Sequence, residues 1–388
     1  MALPLSYNVR SLWVRRKVTT MAIGAIALVV AVLIVLVAMA SGFRIALAAT
    51  GATDNAIVTQ RGSGSELTSG FGLEAARIIS SDPRVQRNAA GEPLASPEIV
   101  VVASLPSRLS PQPVNVLVRG VTPMAFEVRH GVRIVRGRAI RPGLNEVVVG
   151  RQMQSRVVGL EIGRTFRLQR RDWTIVGVLE ANGSGFESEI WGDADAMAAT
   201  FNRRGGYQSL TLRLTNPAAL AALDADLQRN PRFQVQVTQE RQYYEDQSGQ
   251  VSGALLALAV FVAVVMGTGA VFGAMNTMYA IVAARTREIG TLRALGFSRL
   301  SILVSFVVES ACLAVVGGAL GCLVALPANG MTSAAGGVNF SEIAFAFRIT
   351  PTAIVVGFAL ATLMGVAGGL LPALRAARMP ITTALREG

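Results

Sequence analysis

Charge is what this sequence has little of. Only 15% of its 388 residues are Asp, Glu, Lys or Arg, where a soluble globular chain carries about 25%. With 52% hydrophobic residues and a mean hydropathy of +0.47, that shortfall excludes an ordinary cytosolic enzyme and excludes disorder. Histidine occurs once, at His130, so one chain cannot build a histidine triad or a multi-histidine metal site. The two cysteines, Cys312 and Cys322, share one apolar run. Ten residues apart on a helix, they would stand ~15 Å from each other, too far to bridge. Lysine occurs once, at Lys17, and the other 35 cations are arginine, which reads as coding bias. No G-x-x-x-x-G-K-[ST] loop is present, so these residues encode no P-loop cradle for a triphosphate. Gly267-Thr-Gly269 opens like a dinucleotide fingerprint, but Phe272 stands at the third glycine position inside an apolar run. Gly183-Ser-Gly185 does not match the nucleophile elbow.

Long apolar runs are what the sequence has instead. A membrane span needs ~20 apolar residues, and four segments qualify. The first, 18–43, is a run of 26 uncharged residues between Lys17 and Arg44, too long for a signal-peptide core and read as retained. The second, 251–284, belongs to a run of 38 uncharged residues between Asp246 and Arg285. As a helix that run would measure ~57 Å against a ~30 Å hydrocarbon core, so part of it should project beyond the membrane. The third and fourth cover 300–327 and 349–374, with Thr350-Pro351 as a cap and first-turn pair.

The net charge of +12 follows these spans. Residues 43–250 hold 24 Arg against 20 acids, whereas the rest holds 12 cations against 4 acids. Arg10, Arg15, Arg16 and Lys17 precede the first span, Arg285, Arg287, Arg293 and Arg299 follow the second, and Arg375, Arg378 and Arg386 follow the fourth. Between the third and fourth the only cation is Arg348. The positive-inside rule then predicts both termini in the cytoplasm and 44–250 as one large domain outside, with 328–348 a short external loop. A basic excess placed this way is a topology signal and no nucleic-acid footprint. Leu5, Val9, Leu12 and Trp13 predict an amphipathic helix over 1–17 in the cytoplasmic interface, against which stands simple continuation of the first span.

The large domain reads as mixed α/β. Strand patterns occur at 56–59, 98–104, 114–121, 132–135, 146–149, 165–168, 174–179, 209–214 and 233–238, and helical spacing at 73–80 and 217–228. The outer parts could pair as two β-α-β units with 131–191 inserted between them. Glu187, Glu189, Asp193 and Asp195 lack the EF-hand spacing and read as a solvated loop.

Three small-xxx-small pairs, Gly269/Gly273, Gly317/Gly321 and Gly365/Gly369, predict close helix packing in lipid. Glu309, inside the third span, is costly there and is a functional candidate, either for gating or merely paired with Arg16 or Arg285 or turned toward the interface. Between the second and third spans, Ile289, Leu292 and Leu295 form an apolar face on a short helix, with Gly296 placed to cap it. An apolar face in such a loop suggests a docking surface.

Asn276-Thr-Met278, the run Arg285-x-Arg-Glu-Ile-Gly-x-Leu-Arg-Ala-Leu-Gly296, and Glu309-Ser310 resemble the FtsX/MacB family of ABC-transporter permeases. The tail Pro372-Ala-x-Arg-Ala-Ala-Arg378-x-Pro380 with Ala384-Leu-Arg386 is similar to that family's C-terminal signature. Asn145–Gly150 and Trp173–Leu179 look like its periplasmic core domain. The resemblance implies a four-helix permease of the bacterial inner membrane, of the type VII ABC class, with a porter-like part at about 55–130 and 205–240 and a sabre-like part at 131–200. It makes 285–299 the coupling-helix loop gripped by an ATPase, through Glu288, Ile289, Gly290, Leu292, Arg293, Leu295 and Gly296. No cofactor is expected in this chain, and ATP and Mg would belong to the ATPase. MacB proper carries that ATPase at its N-terminus, and here only about twenty residues precede the first span, so a separate polypeptide is expected. A second permease copy, a periplasmic adaptor and an outer-membrane channel are the other implied partners. The implied function is motion of the external domain driven by ATP, for export. FtsX-like control of cell-wall hydrolases and LolC/LolE-like lipoprotein release are its alternatives.

Overall fold

The computed structural model describes residues 16–108, 110–230, 232–336 and 342–381. The expected interfacial helix over 1–17 lies outside the described residues except at its last two positions, as does the tail beyond 381 with Ala384 and Arg386.

In chain order the principal elements are α1 (Arg16–Ala48), β1 (Asn55–Gln60), α2 (Leu73–Ser80), β2 (Ala95–Leu105), β3 (Val114–Val121), β4 (Arg133–Gly137), β5 (Glu146–Gly150), β6 (Thr165–Leu168), β7 (Arg171–Glu180) and β8 (Glu189–Asp193). They continue with α3 (Ala194–Thr200), β9 (Ser209–Arg213), α4 (Ala219–Arg229), β10 (Val235–Gln239), α5 (Glu240–Ala284), α6 (Thr286–Ala294), α7 (Arg299–Ala325), β11 (Thr332–Gly336), β12 (Glu342–Ala346) and α8 (Pro351–Arg378). The chain forms two units, one of Met1–Ser41, Gly253–Met331 and Phe347–Gly388, the other of Gly42–Ser252 with Thr332–Ala346.

The first unit is a helix bundle. Four helices among the described residues are long and apolar enough to cross a membrane. Glycines set its spacing. A Cβ on Gly317 or Gly321 of α7 would meet Ile26, Ala27 and Val30 of α1 at 2.6–3.0 Å. One on Gly365 or Gly369 of α8 would meet Ala314 or Ser310 of α7 at 2.4–2.5 Å. Ser310 Oγ donates to the carbonyl of Gly365 at 2.6 Å, which satisfies the hydroxyl in a dry interface. Gly269 and Gly273 differ: among the described residues, nothing beyond their own stretch of helix lies within 4 Å of a Cβ on either. Thr350 caps α8, accepting from Ala353 N at 3.2 Å with Pro351 in the first turn.

In the second unit, strands β10-β1-β9-β2 form an antiparallel ladder in that order. β1 and β2 flank β9 and are joined through α2, and β9 and β10 flank β1 and are joined through α4. These are two interleaved split β-α-β units. Ala56, Val58, Ile79, Leu210, Leu212, Leu223, Leu227 and Val235 fill their shared core.

The sheet does not stop there. β2 has eleven residues, about 36 Å, and β9 only five. Ala95–Glu98 pair with β9, and Ile99–Leu105 pair with β3. β3 pairs in parallel with β8, and the order continues β8-β5-β7-β4 with β6 also on β7. Two lobes of this unit thus meet inside β2, between Glu98 and Ile99. Beyond the end of β9, Val100 N of β2 donates to the Gln208 side chain at 3.2 Å, while β3 pairs Ile99–Leu105. Trp173, Ile175, Val118, Val149, Ile190 and Met197 centre the second core. The segment 328–348, expected as a plain loop, forms the hairpin β11–β12. Ala344 N donates to Ser188 Oγ at 2.9 Å and Phe345 meets Phe43 edge-on.

Candidate functional site

The bundle presents one candidate site at α6. Arg285 stands at its N-cap. At its C-terminus Gly296 takes φ +93°, donating to Arg293 O at 3.2 Å, while Phe297 N donates to Leu292 O at 3.1 Å. This paired arrangement needs a left-handed residue, so Gly296 caps the helix as its position suggested. The apolar face does not point outward as a whole. Ile289 and Gly290 are buried, Ile289 against Met278, Ile281, Ile302, Phe306 and Ala373. Leu292 and Arg293 are half-buried, and Leu295 is 72% exposed. Ile289 therefore anchors α6 to the bundle, whereas Leu295, the residue just after α6, stays exposed.

Glu309 is 1% exposed and its carboxylate accepts from Arg285 Nη1 at 3.0 Å. Of the alternatives in the sequence, Arg285 is a partner. The same guanidinium donates from Nε to Glu288 at 3.0 Å and sits 5.3 Å from the ring of Phe306. Glu309 thus holds the N-cap residue of α6, and Glu288, on α6 itself, shares that arginine.

The α/β unit holds a second constellation, which sequence reasoning missed. Arg119 on β3 is 1% exposed and has all five N–H donors engaged. Nε donates to Glu189 at 2.8 Å, Nη1 to Glu66 and Glu98 at 2.7 Å each, and Nη2 to Glu189 at 2.9 Å and Glu66 at 3.1 Å. Arg129 bonds Glu98, Thr211 and, at 2.9 Å, Glu240. Trp191 Nε1 and Ser209 Oγ donate to Glu189 and Glu66 at 2.6 Å each, and Phe186 lies 4.8 Å below Arg129. Burial pushes Glu66 up, but the Arg119 guanidinium outweighs it and holds the carboxyl below its ordinary value. At Glu189 burial wins over Arg119, and Glu66 adds repulsion, so that carboxyl stays above its ordinary value.

Glu240 is the first residue of α5, and Tyr243, one turn on, accepts from Glu66 N at 2.7 Å. Ala52 N also donates to Glu240 at 3.2 Å. A Cβ on Gly51 would meet the backbone of Glu240 and Arg241 at 2.5 Å, so only glycine permits this approach. The cluster therefore ties the segment after α1, the start of α5 and the junction of both lobes into one buried knot. The signal in the sequence was faint: single charges such as Glu98 and Arg119 inside β-branched runs.

The acidic group near 187–195 is corrected too. Glu187, Glu189 and Asp193 are buried, and Asp195 alone is exposed. Glu187 accepts from Ala181 N at 3.0 Å and Gly183 N at 2.7 Å, and Asp193 caps α3 through Ala196 N. Acid-rich composition hid a strand, because each carboxylate finds a specific donor.

Comparison with known proteins fits both units. The model of the FtsX-like permease C-terminal region matches residues 260–381, and that of the MacB-like periplasmic core domain matches 19–230, more than half of the chain. The chain belongs to the FtsX/MacB-like family of ABC-transporter permeases. The macrolide export ATP-binding/permease protein MacB of Bordetella avium is 30% identical over 318 residues, covering 75% of this chain and 46% of that protein. Its namesake in Pasteurella multocida is 27% identical over 312 residues, covering 76% and 46%. This FtsX/MacB-like chain thus spans about half the length of the curated relatives it matches. Among solved structures, the periplasmic region of MacB from Actinobacillus actinomycetemcomitans aligns with 50% of the chain and 93% of that structure, at 12% identity and a TM-score of 0.38, too loose a likeness to argue from.

Proposed function

We propose that this permease transmits force. An ABC-type ATPase, holding ATP and Mg, would grip α6 through Leu295, Leu292, Glu288, Arg293 and the turn at Gly296. Ile289 and Gly290 would anchor that helix inward. Closure of the ATPase would shift α6, and the Arg285–Glu309 pair would pass that shift to α7. α5 is 45 residues, about 68 Å, and begins at Glu240. The buried knot at Glu240 would move the α/β unit with it.

In this reading both termini are cytoplasmic and the α/β unit, with its porter-like and sabre-like lobes, is periplasmic. Two permease copies pair, with Gly269 and Gly273 on the unoccupied face of α5. Substrate leaves through an adaptor and an outer-membrane channel and does not pass through the bundle. The observation that carries the proposal is α6 itself, anchored by a buried ion pair and presenting an exposed leucine.

The test is the double variant Leu292→Asp/Leu295→Asp, co-expressed with the ATPase. Putting charge into an apolar contact costs several kcal/mol if the contact is buried. The expected result is loss of the ATPase on co-purification, or loss of permease control over its turnover, with the α/β unit still folded. An intact complex with unchanged transport removes α6 from the coupling role.

A further inference from the structure

Beside Glu240, within the α/β unit, lies a half-open pocket of about 120 Å³. Its walls come from 49–52, from the segment after the helical turn Ala125–Val128, and from the loop 181–186. Two side chains that line it are each 1% exposed and carry an oxygen without a hydrogen-bond partner: Asn55 Oδ1 and Ser184 Oγ. The amide of Asn55 cannot be turned round to cure this. Its Nδ2 already faces two acceptors, Val128 O at 3.2 Å and Glu240 Oε2 at 2.9 Å. Oδ1 must therefore remain the acceptor, and a buried acceptor left unmet is costly.

Charge points the same way. The knot behind the pocket joins four carboxylates, Glu66, Glu98, Glu189 and Glu240, to two guanidiniums. Arg213 and Asp54 at its edge pair with each other at 3.6 Å. Two negative charges are left over in a dry place, and the upward shift of Glu189 relieves part of that excess. Arg129, which also lines the pocket, has its charge offset by Glu98 and Glu240.

We propose that this pocket binds a monovalent alkali cation of potassium size, through Asn55 Oδ1, Ser184 Oγ and the Glu240 carboxylate. An all-oxygen set suits a hard cation, and a single carboxylate is too little charge for a typical divalent site. The pocket has room for the ion together with some of its water. Bound there, the cation would stiffen the junction of Glu240 with residues 49–55 and the loop 181–186 inside the α/β unit.

The probe is potassium against choline at equal ionic strength, on the full chain in detergent, followed by tryptophan fluorescence during thermal unfolding. Wild type should gain a saturable rise in unfolding temperature with potassium, because a ligand of the folded state stabilises it. Ser184→Ala should weaken that dependence by about tenfold or more, while Ser155→Ala, at an exposed hydroxyl, should leave it intact. If Ser184→Ala does not fold, equilibrium dialysis of wild type with radioactive rubidium decides: about one ion per chain, displaced by potassium and not by choline, supports the site. Equal unfolding temperatures in the two salts with no rubidium retained, or unchanged potassium dependence in a folded Ser184→Ala, overturn it.

Discussion

Replacing Arg119 by Met tests whether the buried knot holds the α/β unit together. The substitution keeps length and apolar volume but removes five donors. Glu66, Glu98 and Glu189 then lose their contacts at 2.7–3.1 Å, and all three stay buried. Removing one partner of a buried ion pair costs about 3–5 kcal/mol, because the other charge is stranded. Whole domains are stable by only about 5–15 kcal/mol, so the loss should be severe. In a unit of this size it corresponds to an unfolding temperature lower by about 6–20 °C. Trp173 and Trp191 are both fully buried in this unit, which makes fluorescence melting of the full chain the natural assay. The pH dependence gives a second reading. In wild type, Glu66 is held below its ordinary 4.5, so its contribution is present above that value and is lost as pH falls through the folded pKa. In the variant the stranded carboxyls are raised, so acid neutralises them and relieves the folded state. The gap between variant and wild type should narrow toward pH 5 and below, and adding Glu189→Gln should recover part of it at neutral pH. A variant within about 1 kcal/mol of wild type, or a gap independent of pH, would refute the reasoning.

Glu309→Gln keeps a hydrogen-bond acceptor but discharges the pair with Arg285; the protein should insert and retain its ATPase while transport-linked ATP turnover falls, and normal turnover would reduce the pair to a packing detail. Gly369→Ala places a Cβ 2.5 Å from that of Ser310, so it should cost about 1–3 kcal/mol in bundle stability, whereas Gly273→Ala meets no neighbouring helix among the described residues and should be neutral for the isolated chain. Comparing their thermal melts in detergent checks both. With Cys312 and Cys322 replaced by Ala, single cysteines from Asp172→Cys and Arg378→Cys, both at exposed positions, should react with an impermeant thiol reagent from opposite sides of the membrane. Reaction of both from one side would overturn the topology.

Most of the architecture needed only one-dimensional signals. Apolar runs of the right length mark four helices, because lipid demands ~20 apolar residues whatever their partners. Alternation and turn residues located β1, β5, β6, β7 and β9 within a residue or a few, and Thr350, Pro351 and Gly296 announced helix ends through local backbone chemistry. The Arg-Glu-Ile-Gly run, read as a motif, brought the family with it. Tertiary structure decided what depends on distant residues. Whether Ile289 faces a partner or the bundle is set by α5, α7 and α8, which no period within α6 encodes. Whether Gly269 or Gly317 meets a neighbour depends on which helix passes by. The knot draws on residues from 66 to 240, and each carboxylate in it looks like an ordinary surface charge until Arg119 and Arg129 are in place. Glu189 shows why composition misleads here: an acid is costly in a dry strand alone and tolerable when a guanidinium and an indole donor meet it, and only the folded chain supplies both.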